Sequence, residues 1–260
     1  MIKQISLAVC LAGILSSGIT FSLEKASNGS DDEFQYNTIT SLMSGNYNSV
    51  VTVGQAKQKV NFGLGALQNL GELIVLNGVY YEADANGDIK ELNNNVGISY
   101  LTGTYFVPDK DKSFNLKNMS LSEMENRIDE YNKEHGDARY YAAMIVGSFE
   151  SIKFRSEDKE NSKPGIPLAQ WLKYHQHEFI LNNVEGSMVL LELPDDIQGV
   201  GVPGDHVHFI NQAKIRGGHV LDARIKNVSV IFQSLKTLKV YPNSEKADLH
   251  ELNDIESTSR

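Results

Sequence analysis

Residues 204–222, GDHVHFINQAKIRGGHVLD, decide how the rest of the chain is read. Three histidines, His206, His208 and His219, stand there in an apolar, β-branched setting, with Val207, Phe209 and Ile210 on one side and Val220 and Leu221 on the other. Such runs predict two short strands. Residues i and i+2 of a strand point to the same face, so His206 and His208 project together. The segment NQAKIRGG, with Gly217 and Gly218, can turn the chain back and bring His219 alongside the pair. Three neutral imidazoles converging from a rigid hairpin suit a catalytic zinc site that keeps one coordination position open. The plainer alternative is a strand with two solvent-facing histidines and an unrelated third. Spacing alone does not separate the two, because paired histidines on one strand face also arise by chance.

Composition narrows what the chain can be. It has 260 residues, of which 41% are hydrophobic and 22% charged, enough for one large domain or two small ones. A net charge of -9 argues against a polyanionic partner, and no basic face is present, so nucleic acid is not an expected ligand. Met1, Ile2 and Lys3 precede the apolar run ISLAVCLAGILSSGITF, a pattern that predicts a secretory signal peptide over residues 1–24 and an exported, secreted protein. The run is short and rich in Ser and Gly for a membrane span, so no membrane association is expected after cleavage. Cys10, the single cysteine, lies inside it. A mature chain without cysteine has no disulfide, no thiolate nucleophile and no Cys-ligated zinc, so any metal must be held by His and carboxylate.

Outward from the histidine stretch, the pattern is mostly strand. GELIVLNGVYYEA reads as two strands around an Asn77-Gly78 turn, which suits a type I′ hairpin. Just before it, Gly63 and Gly65 are expected to bracket a tight loop. DANGD at 84–88 is a turn that lacks the EF-hand glycine and late Glu. Residues 98–107 and 140–156 read as further strands, the latter ending on Arg155. Leu121, Met124, Ile128 and Tyr131 fall at helical spacing, with Gly136 as a stop. The linker Lys163-Pro164-Gly165 precedes a short helix burying Leu168, Trp171 and Leu172. His175 and His177 form a second H-x-H at that helix's end, where i and i+2 do not share a face, and are not expected to bind metal. Strands continue on both sides of the hairpin, and an acidic tail with Glu251 and Glu256 could form a last helix. The expected class is mixed α/β (α+β). Taken singly, Glu72 is most simply a solvated strand-end carboxylate and Arg155 a surface charge.

Several blocks together resemble the α-acetolactate decarboxylase family. They are FQYNTITSLMSGNY at 34–47, FGLGALQNLGELIVLNGVYY at 62–81, YYAAMIVGSFESIKFRS at 140–156, KPGIPLAQ at 163–170, GVGVPGDHVHFI at 199–210 and GGHVLDARI at 217–225. They follow the family's order and cover nearly all of the mature chain. The resemblance implies two closely packed sheet-based domains with few helices, placed at 25–163 and 164–260, with the metal hairpin in the second. It implies zinc held by His206, His208 and His219, Glu72 as a further carboxylate at the metal, Arg155 against the substrate, and Glu256 or Glu251 completing the site. It also implies a homodimer. The corresponding reaction is zinc-dependent decarboxylation of (S)-2-acetolactate to (R)-acetoin and CO2, through a metal-stabilised enediolate protonated on one face. One departure stands out: Ala66 occupies the place where the family usually carries Thr. Two further readings start from the same histidines, a secreted metal-binding protein and a zinc hydrolase; the sequence has no H-E-x-x-H motif.

Overall fold

The computed structural model describes residues 31–243. The first sheet is built from Asp32–Tyr36 (β1), Val51–Thr52 (β2), Phe62–Leu67 (β3), Glu72–Leu76 (β4), Val79–Ala83 (β5), Ile89–Glu91 (β6) and Gly97–Thr104 (β7). Two short helices, Ile39–Met43 (α1) and Val53–Ala56 (α2), interrupt it. The second sheet contains Ser113–Ser120 (β8), Tyr140–Glu157 (β9), Gln176–Leu193 (β10), Gly204–Asn211 (β11) and Gly217–Leu235 (β12), with helices Leu121–Glu134 (α3) and Leu168–His175 (α4). Thr237–Tyr241 (β13) then returns to the first sheet and pairs parallel to β1. The spatial order is β13-β1-β7-β3-β4-β5-β6 in one sheet, with β2 also on β7, and β11-β10-β9-β12-β8 in the other. This is the expected mixed architecture of two sheet-based units with few helices.

Because β11 pairs with both β10 and β12, the strands β9 to β12 form a closed ring of pairings. Period-2 alternation divides each strand between two apolar clusters. Tyr141, Ala143, Ile145, Met188, Leu190, Val207 and Phe209 join one cluster, into which α3 inserts Met124 and Ile128. Ala142, Met144, Val189, Leu191 and Ile210 face the other way and meet Phe62, Leu64, Ile74 and Leu76 of the first sheet. Strands buried on both faces read as near-continuous apolar runs, which is how AAMIV and MVLL appear in the chain.

Local signals behave as their chemistry dictates. Ser120 caps α3 through a capping box with Glu123. Asn77 and Gly78 both take positive φ, 53° and 77°, as the β4–β5 hairpin requires. Gly63 and Gly65 do not bracket a loop; they lie within β3. Their role is close approach, since a Cβ on Gly65 would stand 2.1 Å from the Tyr100 carbonyl oxygen of β7. The chain changes sheet between Thr104 and Ser113, ahead of residue 163, which falls between β9 and α4 inside the second unit. The apolar alternation carries β9 unbroken to Glu157, and the Pro/Gly-rich stretch after it is only a connection. The leader at 1–24 and the tail glutamates Glu251 and Glu256 lie outside the described residues.

Glu33 of β1 is fully buried, on the strand face that Gln35 shares as it donates to the Val200 carbonyl. Thr102 Oγ1 donates to Glu33 Oε1 at 2.7 Å, and burial pushes the carboxyl up to about 8. Its folded value lies above the ordinary 4.5, so the stability tied to its neutral form is complete below that pH and lost as pH rises towards 8. Replacing Glu33 with Gln removes this dependence. Urea midpoints of parent and Glu33→Gln should therefore diverge with rising pH, by up to about 1.4 kcal/mol per unit in the variant's favour. Parallel pH profiles would show that Glu33 is hydrated.

Candidate metal centre

Strand β11 sends Val207 and Phe209 into the apolar cluster of the ring, which leaves His206 and His208 on the opposite face. In the ladder, His208 stands opposite His219 of β12, and His219 stands opposite Arg155 of β9. Cross-strand partners share a face, so these three side chains form one row across three strands. Gly218 permits this packing: with φ at 155°, a Cβ there would lie 2.2 Å from the Arg155 carbonyl oxygen.

The three imidazoles converge. His206 Nε2 lies 3.2 Å from His219 Nδ1, and the same His219 nitrogen lies 3.3 Å from His208 Nε2. Tetrahedral coordination with metal–nitrogen bonds of 2.0–2.1 Å separates ligand nitrogens by roughly 3.3–3.4 Å, so the spacing fits a zinc-sized ion. His208 Nδ1 donates to the Leu73 carbonyl of β4 at 2.9 Å, which leaves Nε2 with its lone pair facing the cluster. Burial holds all three imidazoles well below the usual histidine range, His206 to about 3, and the nearby Arg155 charge pushes the same way. Neutral, lone-pair-bearing nitrogens at this spacing form a group able to hold a metal ion.

The first sheet supplies the acidic side. Glu72 opens β4 with Oε2 3.3 Å from His208 Nε2 and Oε1 4.0 Å from Arg155 Nε. Its carboxyl is pushed well above the ordinary range, first by burial and then by the neighbouring Glu157 carboxylate, with Arg155 opposing. Arg155 is itself buried, and its Nη1 donates to Gln176 Oε1 at 2.8 Å. These groups line one side of a cavity of about 60 Å³, and Ile39, Leu42, Leu168 and Leu172 from α1 and α4 line the other.

The structure thus brings His206, His208, His219, Glu72 and Arg155 to one place, and neither Glu72 nor Arg155 is the exposed residue it resembles when taken singly. Ala66, the departure from the Thr that the sequence resemblance leads one to expect, lines the same cavity. His175 and His177 stay apart: both hydrogen-bond the Asp158 carboxylate, at 3.1 and 2.9 Å. Sequence reading missed Glu157, which also lines the cavity. The signal was available, since Glu157 follows Arg155 by two positions and so shares its strand face.

Comparison with known proteins agrees with this arrangement. The family model described as Alpha-acetolactate decarboxylase matches residues 34–253. The alpha-acetolactate decarboxylase of Methanosarcina mazei is 34% identical over 203 residues, covering 77% of this chain and 68% of that relative. Its counterpart from Lactococcus lactis subsp. cremoris is 31% identical over 231 residues, covering 87% and 94%. The solved alpha-acetolactate decarboxylase of Bacillus subtilis strain 168 superposes with a TM-score of 0.81 at 26% identity, covering 88% of this chain and 99% of that one. With a match that spans both sheets and the histidine row between them, the chain belongs to the alpha-acetolactate decarboxylase family.

Proposed function

We propose that this protein is a carboxy-lyase that converts 2-acetolactate to acetoin and CO2 at the three-histidine cavity, the reaction for which its relatives are named. The observation that carries this reading is the convergence of three neutral imidazoles, a buried arginine and a buried carboxyl on one small cavity. His206, His208 and His219 would hold the metal, and an all-imidazole donor set at this spacing favours zinc. A zinc ion there supplies Lewis-acid stabilisation of the negative charge that develops on the substrate's ketone oxygen.

The protein's own groups handle the rest. The planar guanidinium of Arg155 grips the substrate carboxylate in the low-dielectric cavity and orients the bond that breaks. When CO2 departs, the bonding electron pair moves towards the neighbouring carbonyl, and a proton must return to carbon. Glu72, whose carboxyl stands 3.3 Å from His208 Nε2 and 4.0 Å from Arg155 Nε, is the group placed to return that proton. It enters the cavity from the first sheet alone, which supports delivery to one face and a single acetoin enantiomer; that this is (R)-acetoin from the (S)-substrate is read from the resemblance. The apolar side chains of α1 and α4 exclude bulk water from the opposite side. Glu256 or Glu251 of the tail is read as a further group of this site, on the resemblance alone. Assembly as a homodimer rests on the same resemblance, and export rests on the pattern of the leading residues.

The function is tested by acetoin release from racemic acetolactate, with chiral chromatography of the product, before chelation, after it, and after zinc is restored. Release that chelation abolishes and zinc restores is expected; no release from folded, zinc-loaded protein would refute the reading. In His208→Ala, bound metal and acetoin release should fall together. Arg155→Ala should keep its metal and lose about 100-fold in kcat/KM, the scale of a lost charge-stabilising or orienting contact. Full turnover in either variant contradicts the role assigned to that residue.

A further inference from the structure

The turn that delivers Glu72 to the cavity is strained. Asn69, Leu70 and Gly71 take successive left-handed conformations, with φ of 63°, 71° and 108°. Asn and Gly adopt that region readily, whereas a branched, bulky residue such as Leu does so only when its surroundings compel it. Leu70 is buried against the cavity. The compulsion comes from the chain just beyond Arg155. Gly71 N–H donates to Glu157 Oε1 at 2.8 Å, and Glu160 N–H donates to the Asn69 carbonyl at 2.9 Å. The Lys159 ammonium donates to the Leu70 carbonyl and pairs with Glu82 at 2.6 Å. Each left-handed residue is thereby tied to the end of β9 or to the residues that follow it.

Two of these ties hold the same Leu70–Gly71 peptide, one residue ahead of Glu72: Lys159 takes its carbonyl and Glu157 its N–H. Glu157 is buried, and besides the Gly71 N–H its side chain meets the Glu72 carboxyl. We propose that Glu157 is a positioning residue for Glu72: by accepting the Gly71 N–H it pins the Leu70–Gly71 peptide and so holds the turn that sets where the Glu72 carboxyl stands against His208 and Arg155. A hydrogen bond to a carboxylate is among the stronger and shorter kinds, which suits it to hold a strained turn. Glu157 also lies two residues from Arg155 on one strand, so the pin references Glu72 to the arginine through a rigid element. The kinetic part of this inference rests on the decarboxylase reading of the cavity.

The test uses the full-length, zinc-loaded protein and three substitutions. Glu157→Gln keeps an oxygen with the same reach but no charge, Glu157→Asp keeps the charge and withdraws the reach, and Glu157→Ala removes both. Glu157→Ala and Glu157→Asp should lower kcat on acetolactate about 10- to 100-fold, the scale of an ångström-sized misplacement, with metal content unchanged. Glu157→Gln can still hold the peptide but removes the charge that pushes the Glu72 carboxyl up, so its kcat–pH profile should shift from the parent's while the turn stays pinned. Independently of turnover, hydrogen exchange at the Gly71 and Glu72 amides should accelerate in the Ala and Asp variants and remain slow in Gln. Parental kcat and exchange in the Asp variant would overturn the proposal, as would equally fast exchange in Gln and Asp. If alanine prevents folding, the Gln and Asp pair still decides. If the parent itself releases no acetoin, the function reading fails, while the exchange data still decide whether Glu157 pins the turn.

Discussion

The hydrogen bond from His208 Nδ1 to the Leu73 carbonyl joins the two halves of the site. Its donor stands on the closed ring of the second sheet and its acceptor on a central strand of the first. The bond is buried on both sides, so breaking it would leave a donor and an acceptor without water, at a cost of about 1–3 kcal/mol for each stranded group. It fixes the imidazole tautomer, points Nε2 towards the other histidines and sets the distance to Glu72, the residue before Leu73. The apolar contacts of Phe62, Leu64 and Ile74 with Met144, Val189 and Leu191 bring the sheets together; this polar contact sets their register at the site.

A consequence of that docking is an unusual charge environment. Arg155, Glu72 and Glu157 are all buried, beside three imidazoles that burial keeps neutral. Ions placed so deep are tolerated when they compensate one another, and here one guanidinium faces two carboxyls. One proton on the carboxyl pair would balance the group, consistent with Glu72 being the raised member. Burial thus acts oppositely on the two kinds of group: the histidines are already neutral and need lose no proton to offer a lone pair, whereas the Glu72 carboxyl is driven towards its protonated form.

Much of this was legible in the chain. Period-2 alternation exposed the strands, Asn77-Gly78 the hairpin, the spacing of Leu121, Met124, Ile128 and Tyr131 the helix α3, and the i, i+2 histidines the metal face. What composition and spacing did not carry was partnership between distant segments. Neither Glu72 nor Arg155 looks special alone, and only the resemblance drew them to the histidines. β9 and β10 are each single long strands because both of their faces are covered, a tertiary fact that broke the local reading into shorter pieces. Gly63 and Gly65 signalled a loop by type yet serve a close strand crossing. Glu157 carried no label except its spacing from Arg155, and that spacing gains meaning only once the Gly71 turn is seen folded against it.

The return of β13 to lie beside β1 makes the first sheet discontinuous in the chain, with Asp32 opposite Thr237 and Tyr36 opposite Tyr241. The whole second sheet is an insertion between β7 and β13, the two strands that flank β1 in the first. A ribosome therefore completes the ring and its histidine row before the strand that finishes the other sheet has been made. Loop closure across that distance is slow compared with hairpin formation. Neither half is a removable module, and a fragment cut at any loop between the sheets takes part of its neighbour's architecture with it.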